Sequence, residues 1–166
     1  LGASQHLAGL NVNGGRMALS AGGGKTIFAD ALAIAGGGKL DLADNRLMLS
    51  YSGPDPIATI RSYLSSGYTG GAWTGAGLNT SSADLKHGLG LGDSADGVVA
   101  GLPANTILIK YAKYGDVNLD GNVDFSDMVI LSRNFGKANM NWDQGDLDYD
   151  GTVDFQDLVT CARNMA

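Results

Sequence analysis

Along residues 7–51 the apolar positions come in short alternating pieces: Leu10 and Val12, Met17 and Leu19, Leu32 and Ile34, Leu40 and Leu42, then Leu47, Leu49 and Tyr51. Alternation with a period of two puts such residues on one face of a strand. Between the pieces lie Asn13-Gly14 and the runs Gly22-Gly23-Gly24 and Gly36-Gly37-Gly38, which suit tight turns with positive φ. Strands this short suit either a β-sandwich or the coils of a β-solenoid. Few polar, outward-facing positions interrupt the stretch, and Ala, Gly and Ser are frequent, which favours the solenoid. The pattern then changes. Asp55-Pro56 reads as an N-cap followed by a first-turn proline, with Gly67 as the C′ glycine. Ile57, Ile60 and Leu64 share one face of this helix, with Thr59 and Ser62 opposite. A second short helix is expected over Ser82–His87. Thr106–Tyr114 reads as a strand, with Ile107, Ile109 and Tyr111 on one face.

Charge divides the chain in two. Residues 1–114 hold 7 Asp against 8 Lys and Arg, whereas residues 115–166 hold 10 Asp against 3, so the net charge of -6 arises in the last third. Ten carboxylates so close together repel one another unless a cation lies among them. The expected domains are therefore a Gly-rich β part, 1–114, with one or two short helices, and a small α part, 115–166. An apolar fraction of 44% excludes wholesale disorder. No apolar run is long enough to span a bilayer, and the acidic balance argues against nucleic acid as a partner. One cysteine forms no internal disulfide. A start at Leu1, without an initiator Met, is expected of a processed form or of part of a longer protein.

The acidic third is a repeat. GDVNLDGNVDFSDMVILSRNF at 115–135 and GDLDYDGTVDFQDLVTCARNM at 145–165 match at 11 of 21 positions. Each contains D-x-[ND]-x-D-G-x-V-D-F-x-D, an oxygen cage for a hard cation. In the first copy Asp116, Asn118 and Asp120 supply side-chain oxygens at loop positions 1, 3 and 5. Gly121 permits the sharp turn, Asn122 offers its carbonyl at position 7, Asp124 acts through water, and Asp127 closes the cage at position 12. The second copy repeats the set with Asp146, Asp148, Asp150, Thr152, Asp154 and Asp157. Six or seven oxygen ligands indicate Ca2+, two ions in all; magnesium keeps more waters, and zinc lacks nitrogen and sulfur donors here. Val123 and Val153 are expected to pair across the two loops. Each loop leads into a helix, with apolar stripes Phe125, Met128, Leu131, Phe135 and Phe155, Leu158, Cys161, Met165. Cys161 takes the place of Leu131 and reads as a small buried hydrophobe. No helix precedes the first loop.

Two loop-helix units closed by Asp at position 12 resemble the dockerin type I repeat, over residues 115–166. The resemblance implies a duplicated EF-hand-like domain that folds around two calcium ions and docks into a cohesin module. The family's recognition positions fall at Phe125, Ser126, Ser132, Arg133, Phe155, Gln156, Ala162 and Arg163. Cellulosomal dockerins favour small hydroxylated residues where this chain has Phe125 and Phe155. GGGKLDLADNRLMLSYSG, PIATIRSYLSSGYTGGAWTGAG and TILIKYAKYGDVNLDG resemble the C-terminal region of large secreted bacterial proteins with autotransporter-like β-solenoid repeats followed by dockerin-like repeats. That implies an extracellular, secreted or cell-surface setting and no particular reaction.

Nothing legible is catalytic. The two histidines, His6 and His87, stand without Glu, and the Asp84–His87 spacing reads as a surface pair on a helix face. No carboxylate pair stands out for glycoside chemistry, and Gly24-Lys25-Thr26 lacks the first glycine of a phosphate loop. Tyr68 and Trp73 offer a stacking face for a polysaccharide or glycan, although a lone Trp in a Gly-rich loop is more often a packing anchor, and Trp142 is read in the same way. Asn79-Thr80-Ser81 is a glycosylation sequon and hints at a surface loop. The expected function is that of a non-catalytic, calcium-binding structural protein that self-assembles into a fibre or surface layer. Its copies would join end to end or by β-edge pairing through Leu1–Leu10. The alternative is an attachment module that docks a secreted polysaccharide-active protein onto a cohesin-like scaffold.

Overall fold

The fold is described from a computed structural model covering residues 4–165, so Leu1–Ala3 of the proposed pairing segment lie outside the described residues. The strands β1 (Gln5–Leu7), β2 (Leu10–Asn13), β3 (Arg16–Ala18), β4 (Thr26–Ala29), β5 (Leu32–Ala35), β6 (Lys39–Asp41) and β7 (Arg46–Ser50) come first. Helix α1 (Ile57–Tyr68) and strands β8 (Gly77–Asn79), β9 (His87–Asp93) and β10 (Thr106–Lys113) follow, then helices α2 (Phe125–Asn134) and α3 (Phe155–Asn164).

The early strands pair in parallel: β1 with β4 and β4 with β7, β2 with β5, and β3 with β6 and β6 with β8. Gln5 lies opposite Ile27 and Leu10 opposite Leu32, an offset of 22 residues in both sheets. Successive strands thus visit three sheets in turn, and the next three lie against them in register. Like sits on like in the interior: Ile27 beside Leu47, Ala29 beside Leu49, and Leu40 beside Leu78, all buried. Two polar residues close the corners. Asp41 is buried and accepts from the Ala43 and Ser81 amides at 2.8 and 2.9 Å while pairing with Arg16. Asn45 donates to the Ser20 and Leu42 carbonyls and accepts from the Lys25 amide.

Helix α1 follows β7, and the Tyr63 hydroxyl accepts from the Ile34 amide at 3.1 Å, so the helix covers the β5 side. Ile60 and Leu64 are buried as the periodicity requires, and the Asp55 carboxylate accepts from the Ile57 amide at the helix start. Gly67 is not the C′ residue. The helix runs through it to Tyr68, and Thr69 takes the left-handed conformation. A methyl on Gly67 would lie 1.7 Å from the Leu78 carbonyl oxygen, so this glycine serves a close helix–strand approach.

The expected helix over Ser82–His87 is absent. Asp84 accepts from the Lys86 and His87 amides and holds a turn that opens directly into β9. Such side-chain bonds compete with helical ones. The Asp84–His87 contact survives at 2.9 Å as a surface pair on that turn. Strand β10 pairs antiparallel with both β7 and β9, and it leads into the acidic third without an intervening helix. Asn79 lies buried in β8 and donates to the Gly75 carbonyl, so the sequon is not on a surface loop. Trp73 is buried and Tyr68 meets it edge-on, a packing anchor rather than a sugar platform. One hydrophobic cluster continues from Leu10 through Leu89 and Trp142 to Cys161, across the change in charge.

Candidate metal centre

Strand β9, His-Gly-Leu-Gly-Leu-Gly-Asp, explains how the acidic third is held. Leu89 and Leu91 face the β interior, whereas Gly88, Gly90 and Gly92 leave a face without side chains. A methyl on Gly90 would lie 2.7 Å from Leu119 Cδ2 and 3.0 Å from Trp142 Nε1. Trp142 is fully buried in that space and donates from Nε1 to the Asp116 carbonyl at 2.8 Å. Tyr149 donates its hydroxyl to the Leu89 carbonyl at 2.6 Å, and its ring meets Tyr68, Trp73 and Trp142. Leu119 and Tyr149 occupy loop position 4 in the two copies, both with positive φ, at 58° and 60°. Their carbonyls are held from the β part: Leu119 by Lys110 Nζ at 2.8 Å, Tyr149 by Ser65 Oγ at 3.0 Å.

In the first loop Asp116 is buried, and its Oδ2 accepts from the Gly121 amide at 3.0 Å. Asn118 Oδ1 accepts from the Asp120 amide, and Asp120 Oδ1 from the Asn122 amide. Asp124 caps α2 by accepting from the Ser126 amide at 2.7 Å. Asp127, also buried, accepts from the Val117, Asn118 and Asp124 amides. The second loop repeats the geometry. Asp146 accepts from Gly151, Asp148 from Asp150, Asp150 from Thr152 and Asp154 from Gln156, while Asp157 accepts from Leu147 and Asp154. Gly121 and Gly151, with φ of 99° and 90°, make the sharp turns at position 6.

Two observations test whether a cation fits. Asp116 Oδ1 and Asp146 Oδ1, at position 1 of each loop, are buried and accept no hydrogen bond. Such groups are costly unless something positive faces them. One oxygen each from Asp146, Asp148 and Asp157 lies within 4.8 Å of the others. An all-oxygen set of this span matches a cation with ligand distances near ~2.4 Å. The electrostatics agree. Burial, then the charges of Asp157 and Asp148, push the Asp146 carboxyl up to about 8. Burial lifts Asp116 to about 6, against the pull of Lys110, and burial also lifts Asp157 to about 6 and raises Asp148. The exposed position-5 carboxylate Asp120 goes the other way, lowered by the Asn122 amide.

Val123 and Val153 are both buried, but they do not pair with each other; the second loop pairs with the linker instead, Ala138 against Thr152. The helix stripes are only half inward. Leu131 and Cys161 are fully buried, and burial raises the Cys161 thiol to about 11. Phe125 and Phe155, expected in the stripes, are 73% and 69% exposed, and Phe135 and Met165 are exposed as well. As first residues of their helices they sit beside the caps, outside the packed face. Ser126, Ser132, Arg133, Gln156, Ala162 and Arg163 are exposed with them. The sequence did not mark Asp143, a buried carboxylate in the 3₁₀ turn Trp142–Gln144 that belongs to neither loop; its only signal was its place between two turn-forming amides.

Residues 114–165 match the dockerin type I domain model. Dockerin type I domains are non-catalytic docking modules that bind calcium and cohesins and occur in extracellular or cell-surface proteins. Comparison with curated proteins and with solved structures gives no match. Among the described residues no helix is long and apolar enough to cross a membrane.

Proposed function

We propose that the chain is a non-catalytic, extracellular, calcium-dependent docking unit whose acidic third presents a cohesin-binding face on a solenoid-like β body. Residues 1–114 and 115–166 are its two parts. One calcium ion is held by Asp116, Asn118, Asp120, Asn122, Asp124 and Asp127, and a second by Asp146, Asp148, Asp150, Thr152, Asp154 and Asp157. The observation that carries this reading is the unpartnered, buried carboxylate oxygen at position 1 of each loop. Calcium supplies the missing charge and fixes where each helix leaves its loop, because Asp124 and Asp154 belong both to the cage and to the helix cap. The partner would meet Phe125 and Phe155, whose exposed rings are the largest apolar features of α2 and α3. Large aromatic anchors there favour a partner with apolar pockets over one that reads hydroxyl groups. Parallel, in-register strands at an offset of 22 residues support the solenoid reading.

The test is binding to an immobilised type I cohesin, by surface plasmon resonance in calcium and in chelator. Capture only in calcium, lost at least tenfold in Phe125→Ser/Phe155→Ser with an unchanged melting temperature, is the expected result. Equal capture in chelator would contradict the reading.

A second reading, self-association, has one observation in its favour. Among the described residues β1, β2 and β3 are each the end strand of their sheet, and sheet ends are where a further strand can add. Ordered filaments by electron microscopy of the purified chain would establish it, and single particles at high concentration would remove it.

A further inference from the structure

Outside both loops, three carboxylates lie near enough to repel one another where β9 reaches the acidic third: Asp93 at the end of β9, Asp96 in the following turn, and Asp143 in the 3₁₀ turn Trp142–Gln144, with the exposed Asp55 before α1 at their edge. Asp143 is fully buried; Oδ2 accepts from the Asp93 amide at 2.8 Å, and Oδ1 accepts from nothing. Asp93, 2% exposed, accepts from the Ala95 amide. Asp96 is held by two amides, Oδ2 by Asn141 Nδ2 and Oδ1 by Gln144 Nε2, both at 3.0 Å. No lysine, arginine or histidine pairs with these groups among the described residues. The Arg61 guanidinium, close by, bonds to the Met140 carbonyl and the Asn141 amide oxygen instead.

We propose that Asp143 Oδ1 and Asp96, with Asp93 beside them, bind a third divalent cation, a hard ion of the calcium class, at the junction of the two parts. The orphaned, fully buried oxygen of Asp143 has the same character as those of Asp116 and Asp146 in the loops. Neutral amide donors on both oxygens of Asp96 orient an ionised carboxylate, the arrangement usual behind a metal-ligating acid. A single shared proton would leave two of the three charges of Asp93, Asp96 and Asp143 uncompensated beside two buried carboxylates, whereas a divalent ion offsets both. Burial and the neighbouring Asp96 and Asp93 push Asp143 up to about 8, and burial with Asp55 and Asp96 pushes Asp93 to about 6. Both shifts mark a place that lacks positive charge. With waters completing its shell, the ion would join the turn after β9 to the linker between the calcium loops. It would lie one residue from Trp142, which holds the backbone of the first loop.

Native mass spectrometry of the full chain in calcium counts the ions. Three per chain in the parent, falling to two in Asp143→Asn, is the expected result. Asp96→Asn, at a half-buried position that tolerates change better, should also give two. Two ions in the parent and in both variants would overturn the proposal. So would an Asp143→Asn chain that melts higher than the parent in calcium, the sign of a proton-sharing acid pair. Two ions in the parent would leave the loop assignment standing, so the two readings fail separately.

Discussion

Asp146 illustrates how a single residue encodes a requirement for an ion. Its neighbours are carboxylates, its Oδ1 is buried without a donor, and its carboxyl is pushed up to about 8. A raised folded-state pKa means that the metal-free folded chain binds protons the unfolded chain has released. Stability from this group is therefore full at low pH, below its unfolded value near 3.8, and is lost as pH rises through about 8. Asp116 and Asp157, at about 6, lose theirs earlier. The metal-free chain should melt highest near pH 4–5 and progressively lower towards pH 8. Calcium, which binds the ionised form, should reverse that slope. Melting curves in chelator and in calcium across this range check both signs. Asp146→Asn should melt higher than the parent in chelator at pH 8 and gain less from calcium. The two proposed ligand sets differ in charge at position 3, Asn118 against Asp148. Affinity rises with ligand charge, so Asn118→Asp should tighten the weaker site in a two-site calorimetric titration, and an unchanged isotherm would contradict the assignment.

Among the elements, α2 and α3 and the loops before them were legible because the motif is fixed in sequence: the proposed cation cage asks for particular residue types at positions 1, 3, 5, 9 and 12. Helix α1 was legible from Ile60 and Leu64, and β10 from Ile107 and Ile109. The parallel pairing was harder to see, since Gln5 and Ile27, or Leu10 and Leu32, meet through geometry and share no repeated motif. Glycines misled in a consistent way. Gly67 has the sequence signature of a helix terminator yet serves a close approach, and the Gly alternation of β9 carries no signature of a socket, because sequence shows a missing side chain but not which neighbour fills the space. Gly67→Ala, which raises helix propensity, should nonetheless destabilise the chain by about 3 kcal/mol, because the added methyl meets the Leu78 carbonyl. Chemical denaturation measures it, and a stabilised variant would contradict the packing.

On the scale of the whole molecule, the change in charge at residue 115 is not a break in packing. Trp142 and Leu119 of the acidic third pack against the glycine face of β9, Tyr149 donates to the β9 carbonyl of Leu89, and Arg61, Ser65 and Lys110 of the β part donate to the backbone of the acidic third. These contacts join the helices of the acidic third to the β part through one hydrophobic cluster. Gly90→Val should wedge the two apart, costing about 3 kcal/mol and splitting one calorimetric transition into two; a single unshifted transition would show that the junction carries no coupling.

Calcium as the brace of the acidic third is tested most directly by amide hydrogen exchange of the full chain, with and without chelator. Residues 116–134 and 146–164 should be protected in calcium and exchange orders of magnitude faster in chelator, while Ile27, Leu47 and Leu49 in β4 and β7 stay slow. Protection of both loops that is the same in chelator as in calcium would contradict the account.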